Sequence, residues 1–150
     1  MRSQSKNAKL FFMKIKMIVP AGIILLFMTG MIHGQSSKKI REKGIIQQTV
    51  HEYFLEEGID EPVVELIEKY NEEGEIIEIQ EFNKLGEVQL WEKYVYDEEG
   101  NLVEEIFLDE KGKVTRTEKS IYKDGLRFEK QFFDERGRLF KKKEYLYEYR

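Results

Sequence analysis

Few side chains of this sequence could take part in nucleophilic catalysis. After residue 34 the chain contains one histidine, His51, and three serines, Ser36, Ser37 and Ser120, and the whole sequence lacks cysteine. A nucleophile needs a neighbouring base and a third group that orients that base. We therefore predict that the protein is not an enzyme, that it uses no cofactor or metal, and that His51 is a strand residue with a polar contact.

Carboxylates are numerous enough to supply an acid–base pair of the glycosidase type, and Glu92, Glu104 and Glu105 are the nominees. Such a pair needs a cleft that raises the pKa of one carboxyl group. Charged residues on the solvent-exposed faces of strands explain these glutamates better. The acidic run at 97–99 also lacks the alternating oxygen ligands of a calcium loop, so its aspartate is read as a turn residue.

Aromatic side chains form the first candidate binding surface. Trp91, Tyr145, Tyr147 and Tyr149 could stack on sugar rings, because an aromatic ring combines an apolar face with a polar edge. Such residues are more often buried in a core, and both interpretations, sugar stacking and core packing, stay open.

The distribution of charge provides the second candidate surface. Residues 52–112 carry 21 acidic and 4 basic side chains, whereas residues 113–150 carry 12 basic and 7 acidic ones. The basic end could meet an anionic partner, such as an acidic glycan, lipid headgroups or the acidic end of another copy. The alternative is that acidic and basic strands pair within one sheet. The basic end contains Arg136, Arg138, Lys141, Lys142 and Lys143.

The overall charge argues against one class of partner. Residues 35–150 contain 20 basic and 29 acidic side chains, a net charge of −9. Binding to nucleic acid relies on a positive surface that contacts phosphates. We therefore expect no nucleic-acid partner.

A repeated motif indicates how the chain positions these residues. Variants of Tyr96-Asp97-Glu98-Glu99-Gly100-Asn101-Leu102 recur along the chain, with their glycines 12 to 14 residues apart. In each unit an Asp or Asn begins a type I turn and the glycine adopts the left-handed conformation of a bulge. The predicted turn residues are Gly74, Gly86, Asp97, Gly100, Asp109, Gly112, Gly125, Asp134 and Gly137.

The spacing of the motif predicts an all-β fold, an antiparallel meander of seven or eight strands in a twisted or partly wrapped single sheet. Even intervals separate successive motifs, for example six residues from Ile76 to Phe82, so the motif residues are expected to share one face. The interval from Leu126 to Phe133 is odd, which predicts a bulge or register change near 128–133. The opposite face is expected to carry Ile77, Ile79, Trp91, Val95, Val103, Phe107, Ile121 and Phe140.

The two ends of the sheet are less regular. Residues 45–55 are rich in Ile, Val, Tyr and Phe, which favours a first strand, with a short amphipathic helix as the alternative. Residues 145–149 contain three tyrosines at alternate positions and are expected to form the last strand.

The motif resembles the unit Y-D-x-x-G-[N/R]-L of the YD-repeat (Rhs-type) family. Residues 96–102 match every position, and residues 133–139 nearly so. Residues 122–126 are more similar to MORN-type repeats, the alternative family. The first resemblance implies extended β-sheets in bacterial secreted or surface proteins, with a link to carbohydrate binding. The motif specifies a fold unit and not an activity.

The N-terminus is typical of an export signal. Residues 1–34 contain five basic side chains and no acidic one, and residues 17–32 form a run of 16 uncharged residues. This predicts a signal peptide over 1–34, cleaved after Gly34, or an uncleaved membrane anchor, and Met13 is a second candidate start. A linker at 35–44 and a sheet domain at 45–150 would follow, periplasmic, envelope-associated or secreted.

Taken together, these features predict an exported, non-catalytic binding or interaction module of a bacterial envelope or surface, with a protein or glycan partner. The alternative is a structural remnant of a longer repeat protein with no ligand of its own. Membrane contact is expected only through the N-terminal segment, if it is uncleaved, and self-association stays open.

Overall fold

The computed structural model describes residues 36–55 and 61–150, so the predicted signal segment at 1–34 lies outside the described residues. The polypeptide from Gln35 to Arg150 is one compact unit. Within the described ranges no helix is long and apolar enough to span a membrane. The elements are α1 (Ser37–Lys43), β1 (Gln47–Glu52), β2 (Val63–Tyr70), β3 (Ile76–Phe82), β4 (Val88–Tyr96), β5 (Leu102–Leu108), β6 (Val114–Lys123), β7 (Leu126–Asp134) and β8 (Leu139–Glu144).

The eight strands form one antiparallel sheet whose spatial order is the order of the sequence, from β1 to β8. The all-β meander predicted from the motif spacing is confirmed. The sheet is open, because β1 and β8 each pair with a neighbour on one side and not with each other. Short turns suffice for this topology, since antiparallel neighbours need no crossover connection.

Five of the hairpins share one turn geometry, which the turn at Gly100 represents. The amide of Gly100 donates to the carbonyl of Asp97 at 3.0 Å, and Oδ1 of Asp97 accepts from the amides of Glu99 and Asn101. Gly100 has a φ of 80°, which glycine adopts at little cost. The hairpin between β6 and β7 differs: Asp124 and Gly125 have φ values of 53° and 74°, as a two-residue type I′ turn requires.

An extra residue follows each of these turns. In the β2–β3 hairpin Tyr70 pairs with Ile76 but Lys69 pairs with Glu78, which leaves Ile77 without a partner. The bulge expected near residues 128–133 is present at Phe128, but it is one of a series and not a response to the odd interval. The other extra residues are Gln89, Val103, Thr115 and Phe140.

The bulges contradict the prediction that all motif residues share one face, because each extra residue reverses the alternation of the strand. Ile79 pairs with Glu68 and therefore lies on the same face as Tyr70, although it was expected opposite. Phe82 lies two residues from Gln80, the partner of Trp91, and therefore shares the face of Trp91. The motif aromatics are thus divided between the two faces.

The two faces are named here after their aromatic side chains. The tyrosine face carries Tyr70, Tyr94, Tyr96, Phe107, Tyr122 and Phe132. The tryptophan face carries Phe82, Trp91, Val95, Leu108, Ile121 and Phe133.

Residues 35–44 differ from the predicted linker, because they contain the helix α1. Ile40 on this helix is only 1% exposed, and a Cβ atom at Gly74 would overlap the carbonyl oxygen of Ser37. The helix therefore covers the turn between β2 and β3. Buried apolar side chains elsewhere in the described part are few, namely Leu66, Tyr70 and Phe132, as expected where no second layer covers the sheet.

The last strand also differs from the prediction. It ends at Glu144, and the expected strand at 145–149 is absent from the sheet. The amide of Tyr145 still donates to the carbonyl of Phe128 at 3.0 Å. Beyond this point β7 has reached its turn at Asp124–Gly125, so little neighbouring backbone remains for a longer strand to pair with.

Candidate anion-binding surface

A column of tyrosine side chains ties successive hairpins together. The hydroxyl of Tyr96 donates to the carbonyl of Ile76 at 3.1 Å, and that of Tyr122 donates to the carbonyl of Leu102 at 3.3 Å. Tyr147 repeats the contact after β8, with its hydroxyl 2.7 Å from the carbonyl of a β7 residue. Burial, reinforced by nearby carboxylates, raises the pKa of Tyr96 to about 12, so this hydroxyl stays a donor at neutral pH.

An ionic cluster lies on the tyrosine face of β5, β6 and β7. Its members are Glu105, Arg116, Glu118 and Lys130. Nζ of Lys130 lies 2.6 Å from Oε2 of Glu105 and 2.7 Å from Oε2 of Glu118. Nε of Arg116 lies 3.0 Å from Oε1 of Glu118. Burial alone would lower the pKa of Lys130, but its hydrogen bonds to the two carboxylates raise it. Lys130 is therefore fully engaged by carboxylates, whereas Arg116 pairs with Glu118 by charge and its Nε makes no hydrogen bond among the described residues.

The three nominated glutamates do not form an acid–base pair. The carboxylate of Glu105 binds Lys130, and Glu104, on the opposite face, lies 3.4 Å from Nζ of Lys119. Oε2 of Glu92 accepts a hydrogen bond of 2.5 Å from the hydroxyl of Tyr94. Burial raises the pKa of Glu92. Each carboxylate already has a partner within the sheet.

Trp91 makes structural contacts on the tryptophan face. Its Nε1 donates to Oε1 of Glu78 at 3.0 Å. Its ring is so close to the next turn that a Cβ atom at Gly112 would lie 3.1 Å from it. Trp91 is on β4, and β5 to β8 separate it from the C-terminal tyrosines. The structure therefore does not bring the four aromatic residues of the predicted platform together.

The three C-terminal tyrosines have different surroundings. Tyr145 lies against Arg127, whose guanidinium carbon is 5.8 Å from the ring centre. Tyr147 is anchored by its hydroxyl to the carbonyl of Arg127. Tyr149 is 82% exposed.

Three of the five predicted basic residues have carboxylate partners. Nη2 of Arg138 lies 2.7 Å from Oδ2 of Asp134, and Nε of Arg136 lies 3.9 Å from Oε1 of Glu135. Lys142 lies on the tryptophan face with Glu129 at 3.2 Å and Glu144 at 2.7 Å. Hydrogen bonds to these two glutamates raise the pKa of Lys142. These cations are neutralised locally.

Lys141 and Lys143 differ from their neighbours. Both lie on the tyrosine face, with Nζ 4.7 Å and 5.5 Å from the ring centre of Phe132. Within the described ranges neither has a carboxylate within 4.0 Å. The two lysines therefore keep their positive charge available at the last strand of the sheet.

A third unneutralised cation lies beside them. Nη2 of Arg127 donates to the hydroxyl of Tyr122 at 3.0 Å, and its guanidinium contacts the rings of Tyr122 and Tyr145. The ring of Phe140 lies 6.4 Å from that of Phe132 and is 60% exposed. We call this surface the C-terminal basic face; it consists of Arg127, Phe132, Phe140, Lys141, Lys143 and Tyr145.

The sequence prediction found part of this surface and missed the rest. Lys141, Lys143 and Tyr145 were among the predicted residues, whereas Arg127, Phe132 and Phe140 were not. The available signal was that Lys130 and Phe132, two residues apart on β7, share one face. Alternate residues of β8 must lie opposite them on that face. The position of Phe140 depends on the bulge, which the motif alone does not reveal.

The acidic turns show no sign of a metal site. Oδ1 and Oδ2 of Asp97 already accept hydrogen bonds from Asn101, and these bonds lower the pKa of Asp97. Among the described residues, no group of three or more His, Asp or Glu side chains is placed to hold a metal ion.

Two comparisons of the sequence with known proteins find no match. No model of a protein family matches the chain, and no curated protein matches its sequence. Function must therefore be argued from the surfaces of the sheet.

Proposed function

We propose that this protein is an exported, non-catalytic binding module of a bacterial envelope or surface, built on a YD-repeat-like sheet, and that it binds an anionic partner through the C-terminal basic face. The observation that carries this proposal is the state of Lys141 and Lys143. Both contact an aromatic ring and lack a carboxylate partner in the described part of the chain. Fixed, unneutralised cations next to rings suit a ligand with several negative charges.

The arrangement of the potential catalytic residues supports the non-catalytic part of the proposal. His51 is on β1 and Ser120 on β6, which places them roughly 24 Å apart across the sheet at the usual strand spacing. The carboxylates nominated for acid–base chemistry bind Lys119, Lys130 or Tyr94. These contacts give each group a structural role.

The proposal is tested with a sulfated dextran as a soluble polyanion and the chain from Gln35 to Arg150. This part of the protein is a compact unit that contains α1 and the whole sheet. Calorimetric titration at low salt should show binding to the wild type. The double variant Lys141→Gln/Lys143→Gln should lose most of this binding. With two contact charges removed, two fewer counterions are released on binding, and this release favours the complex.

The matched control is Lys39→Gln/Lys111→Gln, which removes the same charge from two exposed positions outside the C-terminal basic face. It should bind like the wild type. Equal losses in the two double variants, or no binding by the wild type, would overturn the proposal.

The second candidate is a structural element with no ligand of its own. The ionic cluster favours it, because Lys130 and Arg116 are engaged with Glu105 and Glu118 inside the sheet. Absence of binding to the sulfated dextran would support this candidate.

A further inference from the structure

We propose that the anionic partner is the surface of a lipid bilayer, onto which the open β8 edge of the sheet docks. This inference rests on the proposed function and names the partner of the same surface. It concerns the folded domain and so departs from the expectation that a membrane would be contacted only through the N-terminal segment.

Exposed apolar side chains are concentrated at the C-terminal end of the sheet. Fifteen large apolar side chains are exposed among the described residues, and seven of them belong to residues 126–150. In a sheet with few apolar contacts, this concentration marks one end for an interaction. The seven residues are Leu126, Phe128, Leu139, Phe140, Leu146, Tyr147 and Tyr149.

These exposed side chains lie on both faces of the sheet. Phe140 contacts Phe132 on the tyrosine face, whereas Leu139 pairs with Phe133 on the tryptophan face. A ligand stacked on one face would reach only one of them. A surface into which the edge dips contacts both, together with Leu146, which is 90% exposed.

The chemistry of the side chains also favours a bilayer over a sugar chain. Sugar recognition by stacking relies on aromatic rings, and Leu139 and Leu146 offer none. Tyrosine, leucine and lysine together match the interface of a membrane, where apolar groups enter the acyl boundary and cations meet lipid phosphates. Water and headgroups there can also bond the free backbone groups of an edge strand.

The charge of the sheet sets its orientation. Residues 52–112 carry 21 acidic and 4 basic side chains, so an anionic surface repels this part of the sheet. The C-terminal basic face is attracted within a distance of roughly one Debye length, about 8–10 Å. The sheet should therefore stand with β8 on the membrane and β1 away from it.

A second copy of the chain fits this edge less well. Pairing β8 with β8 of another copy would bring two sets of Lys141, Lys142 and Lys143 together, and like charges across strands are destabilising. Pairing β8 with β1 of another copy would offer those lysines a single acidic residue, Glu52. Neither arrangement neutralises the edge.

The experiment uses the chain from Gln35 to Arg150, because residues 17–32 could enter a bilayer by themselves. Co-sedimentation is measured with vesicles of phosphatidylglycerol and phosphatidylcholine and with vesicles of phosphatidylcholine alone. The protein should bind the anionic vesicles at low salt and leave them at about 0.5 M salt, since salt screens charges at the surface. It should not bind the neutral vesicles.

Two variants test the two kinds of contact separately. Lys141→Gln/Lys143→Gln should weaken binding to anionic vesicles about 30-fold, from roughly one kilocalorie per mole for each lysine. Phe140→Ser keeps every charge and should weaken binding about tenfold through lost apolar burial. All three substituted side chains are exposed, and equal thermal unfolding of variants and wild type shows that the fold is intact.

Two controls define specificity. Lys39→Gln/Lys111→Gln should bind anionic vesicles like the wild type, and Lys142→Gln should have at most a small effect, because Glu129 and Glu144 already neutralise that lysine.

Four results would overturn the inference. Equal binding to neutral vesicles, or equal losses in all lysine variants, would exclude specific docking of this edge. Binding to sulfated dextran without binding to vesicles would exclude the bilayer but keep the proposed function. Binding to neither would exclude both.

Discussion

The interior of the sheet and its C-terminal edge both contain lysines beside aromatic rings, but these lysines differ in whether a carboxylate neutralises them. In the interior, Lys130 lies between Glu105 and Glu118 at hydrogen-bonding distance. At the edge, Lys141 and Lys143 lie over the ring of Phe132 with no carboxylate within 4.0 Å among the described residues. Lys130 therefore stabilises the fold, whereas Lys141 and Lys143 remain free for an external charge.

This difference follows from the topology. Each interior strand has neighbours on both sides, so a lysine can reach carboxylates on two strands. The last strand has one neighbour, and β7 offers Lys141 and Lys143 an aromatic ring on the tyrosine face. The difference in pairing is therefore a property of position in the sheet as well as of sequence.

The largest expected effect is a difference in the free energy of unfolding between a variant of an interior lysine and a variant of an edge lysine. Lys130→Met should lower the free energy of unfolding by roughly 2–4 kcal/mol, because it leaves the partly buried carboxylate of Glu105 without a cation and leaves Glu118 with Arg116 alone. Lys141→Met should change it by less than about 0.5 kcal/mol. Urea unfolding of both variants measures this, and similar losses would remove the distinction between interior and edge.

Two turns provide the next test. Gly112→Ala and Gly137→Ala both force alanine into a left-handed conformation, at roughly 1–2 kcal/mol each. The turn at Gly112 should lose about 1 kcal/mol more, because the new methyl group would lie 3.1 Å from the ring of Trp91 and strain its hydrogen bond to Glu78. A Cβ atom at Gly137 meets no atom within 4 Å. Thermal unfolding compares the two, and equal shifts would mean that Trp91 adapts without cost.

A third comparison concerns pH and the interior carboxylate Glu92. Burial raises its pKa, so the folded protein holds this proton more tightly than the unfolded chain, and stability falls as the pH rises through the range between the two pKa values. Glu92→Gln should remove this loss and give a small gain in melting temperature at pH 7 but not at pH 4. A loss at both pH values would show that the ionised carboxylate is needed.

The smallest effect is expected at Asp134, in the turn before β8. The bonds from Arg138 lower the pKa of Asp134, so its contribution is present above the unfolded pKa, about 3.9, and disappears as the pH falls through the folded value. Asp134→Asn should make the unfolding temperature slightly less sensitive to acid. An unchanged acid profile would assign the acid sensitivity to other carboxylates.

The sequence predicted the architecture because the turn chemistry is local. An Asp or Asn followed three residues later by glycine specifies a hairpin without help from distant residues, and the meander follows from repeating it. The assignment of faces failed because the bulge after each turn, at Ile77 for instance, adds one residue that no composition rule marks. A shift of one residue is enough to exchange the faces.

The burial of charge was the other feature that sequence alone missed. Glu68 and Glu118, which no sequence pattern singled out, are 4% and 8% exposed. A carboxylate becomes acceptable at such a position only when a donor reaches it, as Tyr70 reaches Glu68 at 2.6 Å. The donor to Glu68 lies on the same strand, whereas Lys130, which bonds Glu118, lies on the neighbouring strand, so the pairing depends on register.

The sequential order of the strands has a kinetic consequence. Every strand bonds only to its neighbours in the chain, so the sheet forms by closing short loops, and any hairpin can serve as a starting point that grows in both directions. The same order makes the outermost strand the easiest to detach. Phe140, Lys141 and Lys143 of the C-terminal basic face lie on β8, one of the two outermost strands, and a partner bound there would slow amide exchange in β8 before it affected any other part of the protein.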